Sequence, residues 1–368
     1  MAGQLIGARI KALRQERGLS QEGMANLFGF KDRQTVSAIE TGVRRVTATE
    51  LLVAVEKLNV PLDYFTDPFR LDGEGLFSWR QRGVGQSELA EYERLAGRWI
   101  GAYRAISAQV GRRPPLMRRT LGLTRQSRLN EATDAGERFA AEFALGEVPA
   151  RRLAATMEER LGILVLMVDA CKGISGAACR LPELDAVLIA RNEAAGRRNF
   201  DMAHELFHIL TWEAMPPERV EDARDFGGSR VEQLANNFAA AVLMPKAAVA
   251  SFGDWGRLDD EGLIVQLNAA ADELNVTSSA LRWRLVTLRH LSKARARAIP
   301  ENTLRHNGRE KAAEAPPFLF SRSFAEVVAL AIEQGHVSVR RSAALLGVSI
   351  EGLEELLSVH GVDCAINL

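Results

Sequence analysis

Cysteine is scarce in this chain: Cys171, Cys179 and Cys364 are the only three in 368 residues. So small and odd a set excludes a disulfide framework and fits a reducing compartment, so the expected location is cytoplasmic. The spacing of Cys171 and Cys179 matches no metal knuckle, and both read as ordinary thiols. Long apolar runs are missing too. Nothing approaches the roughly 18 residues that a membrane helix requires. The opening MAGQLIGARIKALRQERG carries charge every few residues, so neither a secretory leader nor a membrane partner is expected. Net charge is also absent: 47 Lys and Arg balance 47 Asp and Glu. Contact with nucleic acid must therefore come from a local patch and not from a global field. What is present is the composition of a globular protein, 47% apolar and 26% charged, and long enough for two or three domains.

The first stretch is helical. Ile6, Ile10 and Leu13 share one face, and Gly18 ends that helix. Ser20 is a good N-cap for a second helix over Gln21–Phe28, with Glu22 in its first turn and Met24, Leu27 and Phe28 inward. Gly29 permits a tight turn. A third helix over Arg33–Glu40 points Val36 and Ile39 inward and keeps its outer face polar. Residues 47–58 and 61–65 close the unit. Two short helices about a glycine turn, the second polar outside, describe a helix-turn-helix.

The words LSQEGMANLFGF, TVSAIETGVR and LLVAVEKLNVP resemble the Xre/lambda-repressor-like helix-turn-helix family over residues 5–65. Lys31 departs from the pattern: it looks like one extra residue before the recognition helix, and a shifted entry angle is expected. The resemblance implies that Gln21 anchors a phosphate and that Arg33, Gln34, Thr35 and Ser37 face base edges of double-stranded DNA. The chemistry agrees, since Arg suits guanine and Gln suits adenine in bidentate contacts. Arg44 and Arg45 come after the helix, where phosphates would lie. The alternative is a helical bundle that binds protein instead.

Residues 67–86, DPFRLDGEGLFSWRQRGVGQ, are turn-rich and read as a linker. Leu89, Tyr92, Leu95, Trp99 and Tyr103 then recur at helical spacing, in a helix expected to pack within the chain with some contact to a second copy in a homodimer. One or two further helices are expected before residue 147. From Val148 the pattern changes: an amphipathic helix, then the apolar runs ILVLMVD and DAVLIAR, which read as strands, with ISGAACRL as a candidate third.

Within NFDMAHELFHIL, His204 and His208 are four apart, so on a helix their imidazoles fall on one face, one turn apart. Two neutral imidazoles so placed can share a zinc ion, and Glu205 is then positioned to hold water as general base. A third ligand must come from elsewhere. The helical segment RVEQLANNFAAAVLMP offers Glu232 near its start, and Asn236, one turn on, can hydrogen-bond around the ligands. The other four histidines, His290, His306, His336 and His360, lack ligand-like spacing. The acidic run Glu218, Glu221, Asp222 and Asp225 reads as solvated surface or as a gate near the cleft.

RRNFDMAHELFHIL together with VEQLANNFAAAVLMP resembles the ImmA/IrrE family of metallopeptidases over about residues 150–250. The resemblance carries over His204, His208 and Glu232 as Zn2+ ligands and Glu205 as catalytic base. It implies a zinc-dependent endopeptidase that cleaves a repressor, or acts on a toxin or antitoxin partner, in a stress or mobile-element response. The alternative is a non-catalytic repressor or antitoxin-like protein that uses the fold as a sensor. An extended substrate is expected to add a strand at the sheet edge around residues 185–191, and activity is expected to be restrained at rest.

In the last third, residues 268–291 and 321–361 each read helix–turn–helix, with Ser338 and Ser349 as caps, and are expected to buttress the peptidase. Residues 305–317 read as a flexible joint. The expected fold is mostly α with a small sheet (α+β): a helix-turn-helix unit over 1–70, a linker and helical segment over 71–147, a zincin-like metallopeptidase domain over 148–255 and C-terminal helices over 256–368.

Overall fold

The computed structural model describes residues 2–112, 116–222, 228–310 and 315–363. In chain order its elements are α1 (Ala2–Glu16), α2 (Gln21–Phe28), α3 (Arg33–Glu40), α4 (Ala48–Leu58), α5 (Leu62–Thr66), β1 (Leu76–Gln81) and α6 (Gln86–Gln109). Then come α7 (Leu129–Glu142), α8 (Leu153–Leu161), β2 (Ile163–Val168), β3 (Ile174–Arg180), β4 (Asp185–Ala190), α9 (Ala195–Thr211), β5 (Val220–Asp222) and α10 (Arg230–Leu243). The chain ends through α11 (Lys246–Ala250), α12 (Asp260–Glu273), α13 (Ser278–Thr287), α14 (Lys293–Ala298), α15 (Glu301–Leu304), α16 (Arg322–Glu333), α17 (Val339–Leu346) and α18 (Ile350–Val359). The fold is mostly helical with one small sheet, as expected. It divides into two units. One comprises Met1–Leu76, Gly85–Arg113 and Arg322–Leu368; the other comprises Phe77–Val84 and Pro114–Ser321.

In the first unit, α1 to α5 close over Ile10, Leu13, Met24, Val36, Ile39, Leu58 and Phe65. Ser20 caps α2 by accepting from the Gly23 amide, and Gly29 turns the chain out of α2 at φ 72°. Asp32 caps α3 by accepting from the Thr35 amide. The extra residue at Lys31 therefore leaves α3 with a full N-cap. Arg9 is fully buried and ties α1 to α5 and the stretch leading to β1: it donates to the carbonyls of Tyr64, Asp67 and Arg70 and pairs with Glu74. The C-terminal helices α16 to α18 belong to this unit and not to the peptidase, contrary to the buttress expected of them. They pack on α6, where Tyr103 stacks on Phe324 and the Trp99 indole donates to the Leu346 carbonyl. Ser338 and Ser349 do cap α17 and α18.

In the second unit the sheet runs β2-β4-β3-β1-β5. β2 lies parallel to β4 and β3 antiparallel to it. Strands β3 and β4 are buried at every residue, which is why they read as apolar runs without alternation. Helices α9, α10 and α7 share a core in which Phe207, Phe238 and Phe139 meet ring to ring. Helices α12 and α13 do serve the buttressing role: Leu263, Leu267, Leu281 and Leu285 are buried in the same core.

Three expectations fail here. Residues 67–86 are more than a linker, because Leu76–Gln81 forms β1, paired with β5 in parallel at Trp79↔Val220. The composition is turn-rich on either side, but Phe77 and Trp79 stack on one face while Ser78 and Arg80 are buried on the other, the alternation of a strand. The stretch around 185–191 is no edge either. β4 is hydrogen-bonded to β2 on one side and β3 on the other, so no extended peptide can add there. The supposed joint at 305–317 is stitched at Asn307, which accepts from the Ser278 amide and hydroxyl and donates to Asp272 and to the Val276 carbonyl. Residues 311–314 of it, Asp225 and Cys364 lie outside the described residues. Cys171 and Cys179 are free thiols.

Candidate metal centre and recognition helix

Helix α9 buries every residue from Asp201 to Thr211, so both histidines point into the unit rather than to solvent. Helix α10 begins at Ser229, whose hydroxyl accepts from the Glu232 amide, and Glu232 sits in the first turn, where the helix dipole favours a negative charge. The two helices pack together and bring three ligand atoms into one place. His204 Nε2 and His208 Nε2 are 3.1 Å apart, His204 Nε2 and Glu232 Oε2 3.3 Å, and His208 Nε2 and Glu232 Oε1 3.3 Å. A tetrahedral ion with bonds of about 2.0–2.1 Å holds its ligand atoms roughly 3.3 Å apart, so the spacing fits zinc. Among the described residues this is the one group of three or more His, Cys, Asp or Glu side chains able to share an ion.

The protonation states suit a ligand set. Burial pushes the His204 pKa down to about 4, and the Arg80 charge pushes the same way, so the ring is neutral at pH 7. Its Nδ1 lies 3.0 Å from Asn236 Oδ1, an acceptor, which places the ring proton on Nδ1 and leaves the Nε2 lone pair to the centre. Burial opposes the charge on Glu232, but the facing His204 and His208 outweigh it and hold the carboxyl below its ordinary range. Glu205 is buried beside the strand β3. A side chain at Gly176 would stand 3.6 Å from Glu205 Cγ and 3.1 Å from the Leu188 carbonyl oxygen, so glycine there lets the strand lie close to the presumed base.

Three residues of this site carry no signal in the motif. Arg80, on β1, puts its Nη1 3.0 Å from His204 Nε2 and 3.6 Å from Glu232 Oε2, while its Nε pairs with Asp201 at 3.1 Å. The buried Asp201 and Gly176 are the others. The alternation of FSWR is that of a strand, but four residues in a turn-rich stretch read as linker, and nothing in them links Arg80 to residues more than a hundred positions away.

On the recognition helix, Arg33 and Gln34 are exposed, and Thr35 and Ser37 are half-buried, Thr35 being held to Asp32. Gln21, expected at a phosphate, donates to Glu40 at 2.9 Å, where Arg14 also pairs. Arg44 pairs with Glu50 at 2.6 Å and lies over the Phe30 ring, whereas Arg45 is exposed.

A polar helix after a glycine turn in one unit and a buried group of His204, His208 and Glu232 in the other define the class: a helix-turn-helix module joined to a metallopeptidase-type centre. Comparison with known proteins agrees with this. The helix-turn-helix family model matches residues 10–65, and that of the IrrE N-terminal-like domain matches residues 158–285. The chain therefore carries an Xre-type helix-turn-helix domain, then an ImmA/IrrE-like peptidase domain. It is 27% identical over 278 residues to the HTH-type transcriptional regulator PrpR of Mycobacterium tuberculosis (strain ATCC 25618 / H37Rv), a match covering 65% of this chain and 56% of that protein. No solved structure matches the chain. No helix among the described residues is long and apolar enough to cross a membrane.

Proposed function

We propose that this chain is a DNA-binding transcriptional regulator whose IrrE-like domain is a zinc-dependent endopeptidase that cleaves a repressor or another regulatory protein. The observation that carries this reading is the spacing of His204, His208 and Glu232, each pair 3.1–3.3 Å apart, with Glu205 on the same helix as the two histidines. Zinc held there supplies Lewis acidity. The rest falls to the chain. Asn236 fixes the His204 tautomer. The Glu205 carboxylate takes a proton from the attacking water and delivers it to the leaving amine. The helix-turn-helix domain, pairing with that of a second copy, would read an inverted repeat and hold the peptidase near DNA-bound targets, raising their effective concentration.

The test compares cells expressing the full chain with cells expressing Glu205→Gln. New protein N-termini are enriched and sequenced. The expected result is a terminus within a regulatory protein that appears only with Glu205 intact, while both proteins carry one zinc per chain. Identical sets of termini would sink the peptidase reading. They would leave the second one: a non-catalytic regulator that uses the metal fold as a sensor. Arg80 favours that reading, since its cation lies over the face of the His204 ring, 3.0 Å from Nε2 and 3.3 Å from Nδ1, and 3.6 Å from Glu232.

A further inference from the structure

The carboxylate that opens the recognition helix has more chemistry than its cap uses. Asp32 accepts from the Thr35 amide at 2.9 Å and from the Thr35 hydroxyl at 3.3 Å, and both bonds fall on Oδ1. Among the described residues Oδ2 has no hydrogen-bond partner, and Asp32 is exposed. The cap does not need the charge. Ser20 and Thr47 cap α2 and α4 of the same unit with a neutral hydroxyl. Ser, Asn and Asp serve about equally well in that role. What the charge adds is an acceptor without a donor, held in a fixed place.

That place decides what the acceptor can meet. In a helix-turn-helix the N-terminal residues of the second helix reach the base edges. Val36 and Ile39 are buried and fix how α3 is turned, which leaves Asp32, Arg33 and Gln34 exposed together at its leading end. A carboxylate in the major groove lies between two rows of phosphates and finds few donors. Guanine shows it N7 and O6, both acceptors, and thymine shows O4 and a methyl group. Adenine offers its N6 amino group, but with the N7 acceptor beside it, which repels the other carboxylate oxygen. Cytosine alone presents a donor, the N4 amino group, with no acceptor next to it. Arg33, the next residue and also exposed, has the opposite demand, which guanine N7 and O6 meet. One G·C pair presents both.

We propose that Asp32 is a specificity-determining residue that selects cytosine through Oδ2 and the N4 amino group, while Oδ1 keeps α3 capped. This rests on the reading that α3 enters the major groove of DNA. Held by its two bonds to Thr35, the carboxylate has little freedom to turn away. Guanine or thymine at its position therefore sets an acceptor against a negative charge. The residue works chiefly by exclusion: it lowers affinity for the wrong duplex more than it raises affinity for the right one.

The experiment selects bound duplexes from a random-sequence pool with the full chain, side by side for wild type, Asp32→Asn and Asp32→Ser. Both variants keep a good cap, which unchanged thermal unfolding checks. Wild type is expected to return a motif with one invariant cytosine. At that position Asp32→Asn is expected to turn to adenine, whose N6 and N7 match an amide, and Asp32→Ser to accept several bases. On the motif itself, changing that cytosine to thymine should weaken wild type about ten-fold and Asp32→Ser by less than about three-fold. The same motif from all three proteins overturns the assignment and leaves α3 as the reader. So does a gain or loss of affinity in the variants that is equal on every duplex, which would make Asp32 a repeller of phosphate or a cap and nothing more. A pool that enriches no sequence with wild type sinks the DNA-reading interpretation itself, and the assignment with it.

Discussion

At the proposed metal centre, His204 and His208 are fully buried, Glu232 nearly so, and each meets the others through one or two atoms at 3.1–3.3 Å. On the recognition helix, Arg33 and Gln34 stand in solvent, and the neighbouring charges of Arg44 and Glu40 are taken up by pairs within the chain. The first region concentrates its chemistry in a few atoms that have no substitute. The second spreads it over a surface where each side chain adds a little. Single substitutions should therefore act as near-total losses in one region and as graded losses in the other, and that contrast can be tested from its steepest end downward.

The steepest is His208→Ala. It removes one of three ligands and leaves His204 and Glu232 with no third donor, too few for a stable zinc site. Elemental analysis of the purified chain should fall from about one zinc to none, while far-UV circular dichroism holds. A variant that still retains zinc after dialysis against chelator would mean that the three groups are not the ligand set.

Next is Arg9→Met, which asks whether the DNA-reading unit has an all-or-none position of its own. Arg9 is wholly buried, satisfies three carbonyls and faces Glu74. Burial already pushes the Glu74 carboxyl up, and the Arg9 charge opposes that. Removing one partner of a buried pair costs about 3–5 kcal/mol. Hydrogen exchange across α1 and α5 should quicken accordingly, with α9 and α10 unaffected. Unchanged protection in α1 would show the pair to be ornamental.

These two positions also mark how far the sequence could be read. His204 and His208 were legible because helical spacing puts them on one face of one helix, and Glu232 because its segment resembles the family's second motif. The recognition helix over Arg33–Glu40 was legible for the same local reason, its polar face and its cap. The Arg9 anchorage, the strand β1 and the reach of Arg80 to His204 were not. Each joins residues far apart in the chain, and no periodicity records a long-range pairing. The placement of residues 185–191 at a sheet edge failed on the same ground: an apolar strand looks alike whether it has one neighbour or two, and only the order β2-β4-β3 decides. The C-terminal helices show the limit again, since α12–α13 and α16–α17 share one pattern but enter different units.

A milder loss is expected beside the proposed ligands. Asn236 touches His204 through a single contact at 3.0 Å that sets the ring's tautomer. Such a partner is worth about 10- to 100-fold in metal affinity. Asn236→Ala should therefore bind zinc that much more weakly in the chelator competition, still at one per chain. No change would place the tautomer under other control, and complete loss would make Asn236 a ligand.

The smallest effect belongs to the exposed surface, and there the comparison turns on two adjacent residues. Arg45 is exposed, whereas Arg44 is paired with Glu50, a residue that also accepts from the Thr47 amide to complete the cap of α4. A phosphate that recruits Arg44 must displace a carboxylate, so part of the charge it would neutralise is already neutralised. Each fully effective phosphate contact contributes roughly 0.9 to the slope of log affinity against log salt. Arg45→Ala should lower that slope by about this amount on any duplex, and Arg44→Ala by visibly less. Fluorescence anisotropy of the full chain on a mixed-sequence duplex, between about 50 and 200 mM salt, measures both. If Arg44→Ala flattens the slope as much as Arg45→Ala, then DNA takes Arg44 away from Glu50, and the pair is a resting arrangement that binding undoes. That outcome would place a small exchange of partners at the DNA surface.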